Sequence, residues 1–206
     1  MNIISTHIEK IIETYTQDTY YEDMKKAIDF YVEKTGKMNE ESEEYESRMN
    51  SFNDWFIFNY RLGDGSRIID QYMLDQTLED EISKSLHNVN YSLFLFQKIN
   101  YRKQIVINDI LHGKKFSLAK DNETIALVED DLFIGRVVEL NGQSYLLSGI
   151  CLLPRNVFSI LKKQSKKIRK LNNQQEEENF LLQLEHLKTK SLQYGHVEAD
   201  KIFTFN

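Results

Sequence analysis

The chain has 206 residues, 41% of them hydrophobic and 28% charged, with a net charge of −6; this is an ordinary globular composition, long enough for one domain or for a helical and a β part sharing a core. No apolar run approaches the ~20 residues that span a bilayer, the opening residues lack the order of an export signal, and Cys151, the single cysteine, excludes an intramolecular disulfide and paired-cysteine zinc frameworks. A cytoplasmic protein without membrane insertion is expected, and its acidic total argues against a generic nucleic-acid binder.

From an N-cap at Ser5 or Thr6, with Glu9 closing a capping box, Ile8, Ile11, Ile12 and Tyr15 recur at helical spacing. A second helix carries Met24, Ala27, Ile28 and Tyr31 on one side and stops near Gly36. Asn39 to Ser47 is rich in glutamate and reads as the solvated first turns of a helix, where the dipole favours acids, in preference to a metal site. Met49, Phe52, Trp55 and Phe56 continue that helix inward. With Tyr60 one turn further, Phe52, Trp55 and Phe56 form the expected structural anchor, the joint between a helical layer and a sheet. Past the Gly63-Asp64-Gly65 turn, Ile68 to Met73 and Leu78 to Leu86 predict two short helices.

At Tyr91 the period changes to that of strands. Ser92–Phe96, Gln104–Ile107, Lys115–Ala119, Leu132–Leu140 and Gln143–Ile150 are short, rich in β-branched and aromatic residues, and divided by turn signals. Asn141-Gly142 joins the last two with no spare residue and predicts a two-residue hairpin, since both positions require positive φ. His112-Gly113 predicts an earlier turn, and Asp121-Asn122 opens a looser loop. Gly135 and Gly149 mark expected bulges in a strongly curled meander. Pro154 ends the last strand, and a helix follows with Val157, Ile160, Leu161, Ile168 and Leu171 on its apolar stripe. Phe180, Leu181, Leu184 and Leu187 mark a final amphipathic helix, closed by Gly195.

The expected fold class is therefore α+β: N-terminal helices, a five-stranded antiparallel curled sheet or partly open small barrel, and C-terminal helices. One compact unit is expected over 1–206, with a helical layer at 1–90, the β meander at 91–153 and helices at 154–206.

Chemistry leaves few marks. Gly63-Asp64-Gly65 lacks the lysine of a phosphate loop and the third glycine of a dinucleotide fingerprint. None of the five histidines forms an i, i+4 metal pair. Asp109 and His112 share a turn without an identifiable nucleophile, and turn formation accounts for both. Asp54, Asp64, Asp130 and Asp131 are further carboxylates, most of them near turns. Cys151, in an apolar strand, reads as a buried, unreactive thiol. No catalytic residue, cofactor or metal ligand is assigned, and the chain is read as a non-catalytic binding or adaptor protein with a protein partner. The surface feature with functional content is the basic helix 155–170. Lys162, Lys163, Lys166, Lys167, Arg169 and Lys170 offer contacts to a partner or to phosphates, which makes a nucleic-acid-associated protein the alternative and an enzyme the third reading. Against phosphates, no aromatics interleave with these cations, and the nearby Glu176-Glu177-Glu178 are available to pair with them.

The pattern Tyr31, Lys34-Thr35-Gly36, Glu46, Arg48-Met49, Phe52, Asp54-Trp55-Phe56, Phe58, Tyr60, Gly65 and Tyr72 resembles an uncharacterised family of bacterial hypothetical proteins. Tyr91-Ser92-Leu93-Phe94, Asp109 to Gly113, Gly135-Arg136-Val137-Val138, Ser148-Gly149, Leu152-Leu153-Pro154 and the tail Tyr194, His196-Val197 and Ile202-Phe203 extend the likeness from about Ala27 onward. The resemblance implies no activity, cofactor or partner. Asn59 stands where the family's Trp-Phe-x-Phe-Asp-Tyr version has Asp. Some bacterial proteins with comparable central segments carry a cysteine-rich metal tail, but with only Cys151 here the resemblance carries over no such metal.

Overall fold

The computed structural model describes residues 2–122 and 127–205. Its helices are α1 (Ile3–Tyr15), α2 (Tyr21–Thr35), α3 (Tyr45–Phe58), α4 (Ile68–Asp75), α5 (Asp80–His87), α6 (Phe158–Leu171), α7 (Gln174–Gln193) and α8 (Ala199–Ile202). Its strands are β1 (Asn90–Ile99), β2 (Ile105–Asp109), β3 (Lys115–Ser117), β4 (Leu132–Leu140), β5 (Gln143–Leu146) and β6 (Cys151–Leu153). The sheet is antiparallel in the order β3-β2-β1-β4-β5, with β6 also on β4. The fold is α+β, with helices before and after the sheet. The loop that opens at Asp121-Asn122 runs into 123–126, outside the described residues.

Local chemistry sets several boundaries differently from the sequence pattern. Helix α1 is capped by Asn2, whose Oδ1 accepts from Ser5 N–H at 2.9 Å, so the expected box at Ser5 or Thr6 and Glu9 does not form. Helix α3 starts at Tyr45 because Asn39 and Ser42 accept from the Glu41 and Glu44 N–H groups, turning the acidic segment before the helix begins. The expected last strand divides in two: β5 and β6 take successive stretches of the same flank of β4, and 147–150 leaves the sheet between them. The register shift lies in β1 between Phe96 and Lys98, whereas Gly135 pairs regularly with Ser92. Asn141 and Gly142 have φ of 52° and 75°, as a two-residue hairpin of this type requires. Helix α7 ends at Gln193, two residues before the predicted Gly195 stop.

Sheet curl brings the end of β3 round to β5, where Ala119 N–H donates to Ser144 O at 2.8 Å. Phe94, Phe96, Ile107, Phe116, Phe133 and Val137 pack together on one face. Side chains alternate across a strand, so Ile134, Arg136 and Val138 of β4 point the other way, where helices cover them. Leu93, Leu132, Ile134 and Leu153 pack with residues of α6, α7 and α8. Val138, Leu140, Tyr145 and Leu147 pack with α1–α5, Phe52, Trp55 and Phe56 among them. Both faces of β4 are buried, which is why its sequence is a nearly continuous apolar run.

Helix α3 lies between the helical layer and the sheet, with different atoms engaged on each side. Trp55, 3% exposed, lies against Tyr31 of α2 with ring centres 5.4 Å apart, and Arg48 donates to Thr35, Gly36 and Lys37 oxygens at the C-terminal end of α2. Toward the sheet, polar contacts add to the apolar packing: Ser47 Oγ donates to Ile150 O at 2.6 Å, and Asp54 Oδ2 accepts from Gly149 N–H at 3.0 Å. Gly149 is thus a seat for α3, where a bulge was expected. A Cβ there would run into the Asp54 carboxylate and lie 2.7 Å from Asn50 O.

Candidate functional site

The ends of several elements converge on one cleft. Asn59 closes α3, Arg67 opens α4, His87 ends α5, Asn90 and Tyr91 begin β1, His112 lies in the β2–β3 turn, and Asn172 to Glu178 link α6 to the first turns of α7. With Arg136 of β4 they line a chamber of about 400 Å³. A second, of about 490 Å³, shares Phe58, Asn59, Arg67, Gln174 and Glu178 with it and adds the aromatic wall of Phe30, Trp55 and Tyr60.

Arg136 is the centre of this arrangement. It is 1% exposed, its guanidinium lies 3.8 Å from the centre of the Tyr91 ring, and Nη2 donates to Asn59 Oδ1 at 2.7 Å. Its Nε has no hydrogen-bond partner among the described residues. Asp54 and Glu185, both buried, feel its charge. Desolvation pushes the Asp54 carboxyl up to about 6, against the opposing pull of Arg136 and the Gly149 N–H. Desolvation also raises Glu185, although the Tyr31 and Tyr91 hydroxyls both donate to it, Tyr91 at 3.2 Å. Burial, with Glu185 nearby, holds the Cys151 thiol well above its ordinary value, in keeping with an unreactive cysteine.

A second network lies beside it. Asp109, 2% exposed, accepts from Ser92 Oγ at 2.6 Å, Asn90 Nδ2 at 2.9 Å and the His112 N–H at 2.8 Å. His112 then bridges two carboxylates, with Nδ1 2.9 Å from Asp109 Oδ2 and Nε2 3.1 Å from Glu177 Oε2. Burial works to raise Asp109, but the hydrogen bonds from His112, Ser92 and Asn90 outweigh it and hold the carboxyl below its ordinary value. The bond to Asp109, with the help of Glu177 and against desolvation, raises His112. Such an imidazolium has both nitrogens engaged and acts as a strut; Ser92 is fully buried and bonded to Asp109, so no serine–histidine pair forms.

A stability signature follows from the raised His112. The imidazolium stabilises the fold fully below its unfolded value of 6.5 and progressively less as pH rises through the higher folded value. Urea denaturation is expected to give a falling free energy of unfolding above pH 6.5, with the decline reduced in His112→Gln. The depressed Asp109 acts in the opposite direction, its contribution being lost as pH falls below 3.8.

The structure brings Asp109 and His112 together but leaves Asp64 at an exposed turn with Ser66. Asp130 and Asp131 lie in the turn before β4, where Asp131 pairs with Arg155 at 2.8 Å. Trp55 Nε1 donates to Glu178 Oε1 at 2.9 Å, so the anchor also fixes an acid of the cleft. Arg136, Glu185, Asn59 and Glu178 had not been singled out as site residues. For two of them the signal is a charge in an apolar register: Arg136 between Ile134 and Val138, and Glu185 one turn beyond Leu181.

Lys162, Lys163, Lys166, Lys167, Arg169 and Lys170 are all exposed on α6. At ~100° per residue they occupy an arc of roughly 160°, opposite buried Leu161 and Ser165. Among the described residues no ion pair reaches any of them. Two of the three acids of the expected screen are engaged elsewhere, Glu177 on His112 and Glu178 on Trp55, and Glu176 forms no ion pair with these cations among the described residues. Like charges therefore stand uncompensated at Lys162/Lys166, Lys163/Lys167 and Lys166/Lys170, each pair costing an isolated helix about 0.2–0.5 kcal/mol.

Fold and site together define an α+β protein whose curled sheet and helix ends enclose a polar cleft around a buried arginine. The chain belongs to the Family of unknown function (DUF7986), whose model matches residues 2–190. No curated protein and no solved structure matches it. Among the described residues no group of acids, histidines and cysteine is arranged to hold a metal ion, and no helix is long and apolar enough to cross a membrane.

Proposed function

We propose that the chain is a non-catalytic binding protein of the bacterial cytoplasm, and that the cleft takes a small polar ligand bearing an oxyanion, a carboxylate or a phosphate. The observation that carries this reading is the imbalance of partners. Glu177 and Glu178 each have a donor, in His112 and Trp55, whereas buried Arg136, whose charge Asp54 and Glu185 feel without a hydrogen bond to it, has one hydrogen bond among the described residues and N–H groups to spare. A charge-assisted bond from a ligand uses that surplus. The first turn of α7 is already capped by Asn173 and Arg67 is paired with Asp70, which leaves Arg136 as the principal anion-binding group. The double engagement of His112 and the raised Cys151 thiol favour binding over reaction.

Thermal denaturation against a panel of small carboxylates and phosphates tests the reading. A melting temperature that climbs with concentration is expected for at least one class. In Asn59→Asp the new carboxylate occupies Arg136 and repels a second anion, so the ligand effect is expected to disappear. A flat response of the native chain to every anion, or an undiminished response in Asn59→Asp, would overturn it.

A further inference from the structure

We infer that the basic face of α6, extended by the β2–β3 hairpin, is a docking surface for the phosphate backbone of duplex nucleic acid, separate from the cleft and its ligand. The fold adds to the helix something its sequence does not show. Gly113 lies against the end of α6, where a Cβ on it would be 3.1 Å from Arg169 Nη1, so the exposed Lys114 and Lys115 of the hairpin join the same positive surface. Two elements thus hold cations side by side on rigid backbone, and among the described residues no ion pair reaches any of those on α6.

The dimensions suit a duplex. Lys162 to Lys170 spans ~12 Å of helix, against about 3.4 Å of axis per phosphate along one strand, so the row passes three or four phosphates. A membrane fits less well, since the apolar side of α6 is used inside the protein: Leu161 is buried and Ile168 packs against the core. The six α6 cations have no aromatic side chain between them to stack on bases. Recognition is therefore by charge, with no sequence preference and with duplex favoured over a single strand.

Fluorescence anisotropy with a labelled DNA duplex of mixed sequence, titrated over a series of salt concentrations, tests this. With about four phosphates neutralised, log affinity is expected to fall against log salt with a slope of about −3.6. Lys166→Glu/Lys167→Glu is expected to weaken binding at least about 10-fold and to reduce the slope by about two phosphates' worth. Lys25→Glu/Lys26→Glu on exposed α2 positions makes the same change in net charge and is expected to leave binding within about 2-fold. Unchanged melting temperatures show that both variants fold. Absence of duplex binding at low salt, equal losses in the two variants, or tighter binding to acidic lipid vesicles or to polyglutamate than to the duplex would overturn the inference.

Discussion

Arg136→Met is expected to cost the fold about 3–5 kcal/mol, the range for removing one partner of a buried ionic group. The loss is more than one hydrogen bond to Asn59. Asp54 and Glu185 are both buried and both raised in pKa by desolvation, a rise this guanidinium opposes, so its removal leaves two carboxylates in low dielectric without a cation. Two further measurements separate this cause from simple loss of packing. The penalty is expected to be smaller at pH 5 than at pH 8, because Asp54, already raised to about 6, is then protonated and needs no counter-charge. Adding Glu185→Gln should recover part of the loss, since Gln keeps an acceptor for Tyr31 or Tyr91 without the charge. A urea-denaturation cycle with a cost below about 1 kcal/mol, the same at both pH values, would remove Arg136 from its central place.

The second large effect is expected at Gly149, through shape. Ala at this position puts a methyl group into the Asp54 carboxylate and within 2.7 Å of Asn50 O, and backbone atoms of α3 cannot step aside as a flexible side chain would. Overpacking of this kind costs about 3 kcal/mol, and displacement of the Gly149 N–H bond to Asp54 adds to it. Gly135→Ala is the control. Its added carbon meets nothing nearer than 3.4 Å, the Leu146 Cδ1 atom, and a loss below about 1 kcal/mol is expected. Equal losses at the two glycines, measured by thermal or chemical denaturation, would contradict the close approach of α3 to the segment between β5 and β6.

How much of this was legible in the sequence depended on how local the cause was. Asn141-Gly142 specified its hairpin because the requirement lies in two adjacent residues, and β4 was found with its observed limits, Leu132 and Leu140, for the same reason. The α3 rings announced burial through their spacing. Failures occurred where a side chain competed with a helix, as at Asn39 and Ser42, or where a distant element intervened, as when α3 draws the chain out of the sheet at Gly149. The site was harder to read. The register of Arg136 in an apolar strand and of Glu185 in an apolar helix face marks each as buried, but their relation depends on packing β4 against α7. The sequence placed His112 at a turn with Asp109, but the second carboxylate, Glu177, comes only with the approach of α7.

The aromatic filling of the curled sheet also bears on how this family can diversify. Phe94, Phe116 and Phe133 stack and cross at 5.6–6.1 Å where a wider barrel would hold cargo, so the sheet is a strut and not a vessel. If the cleft binds as proposed, changes of specificity would arise at the rim, from the few residues that finish one helix or begin the next, while the strands underneath stay as they are.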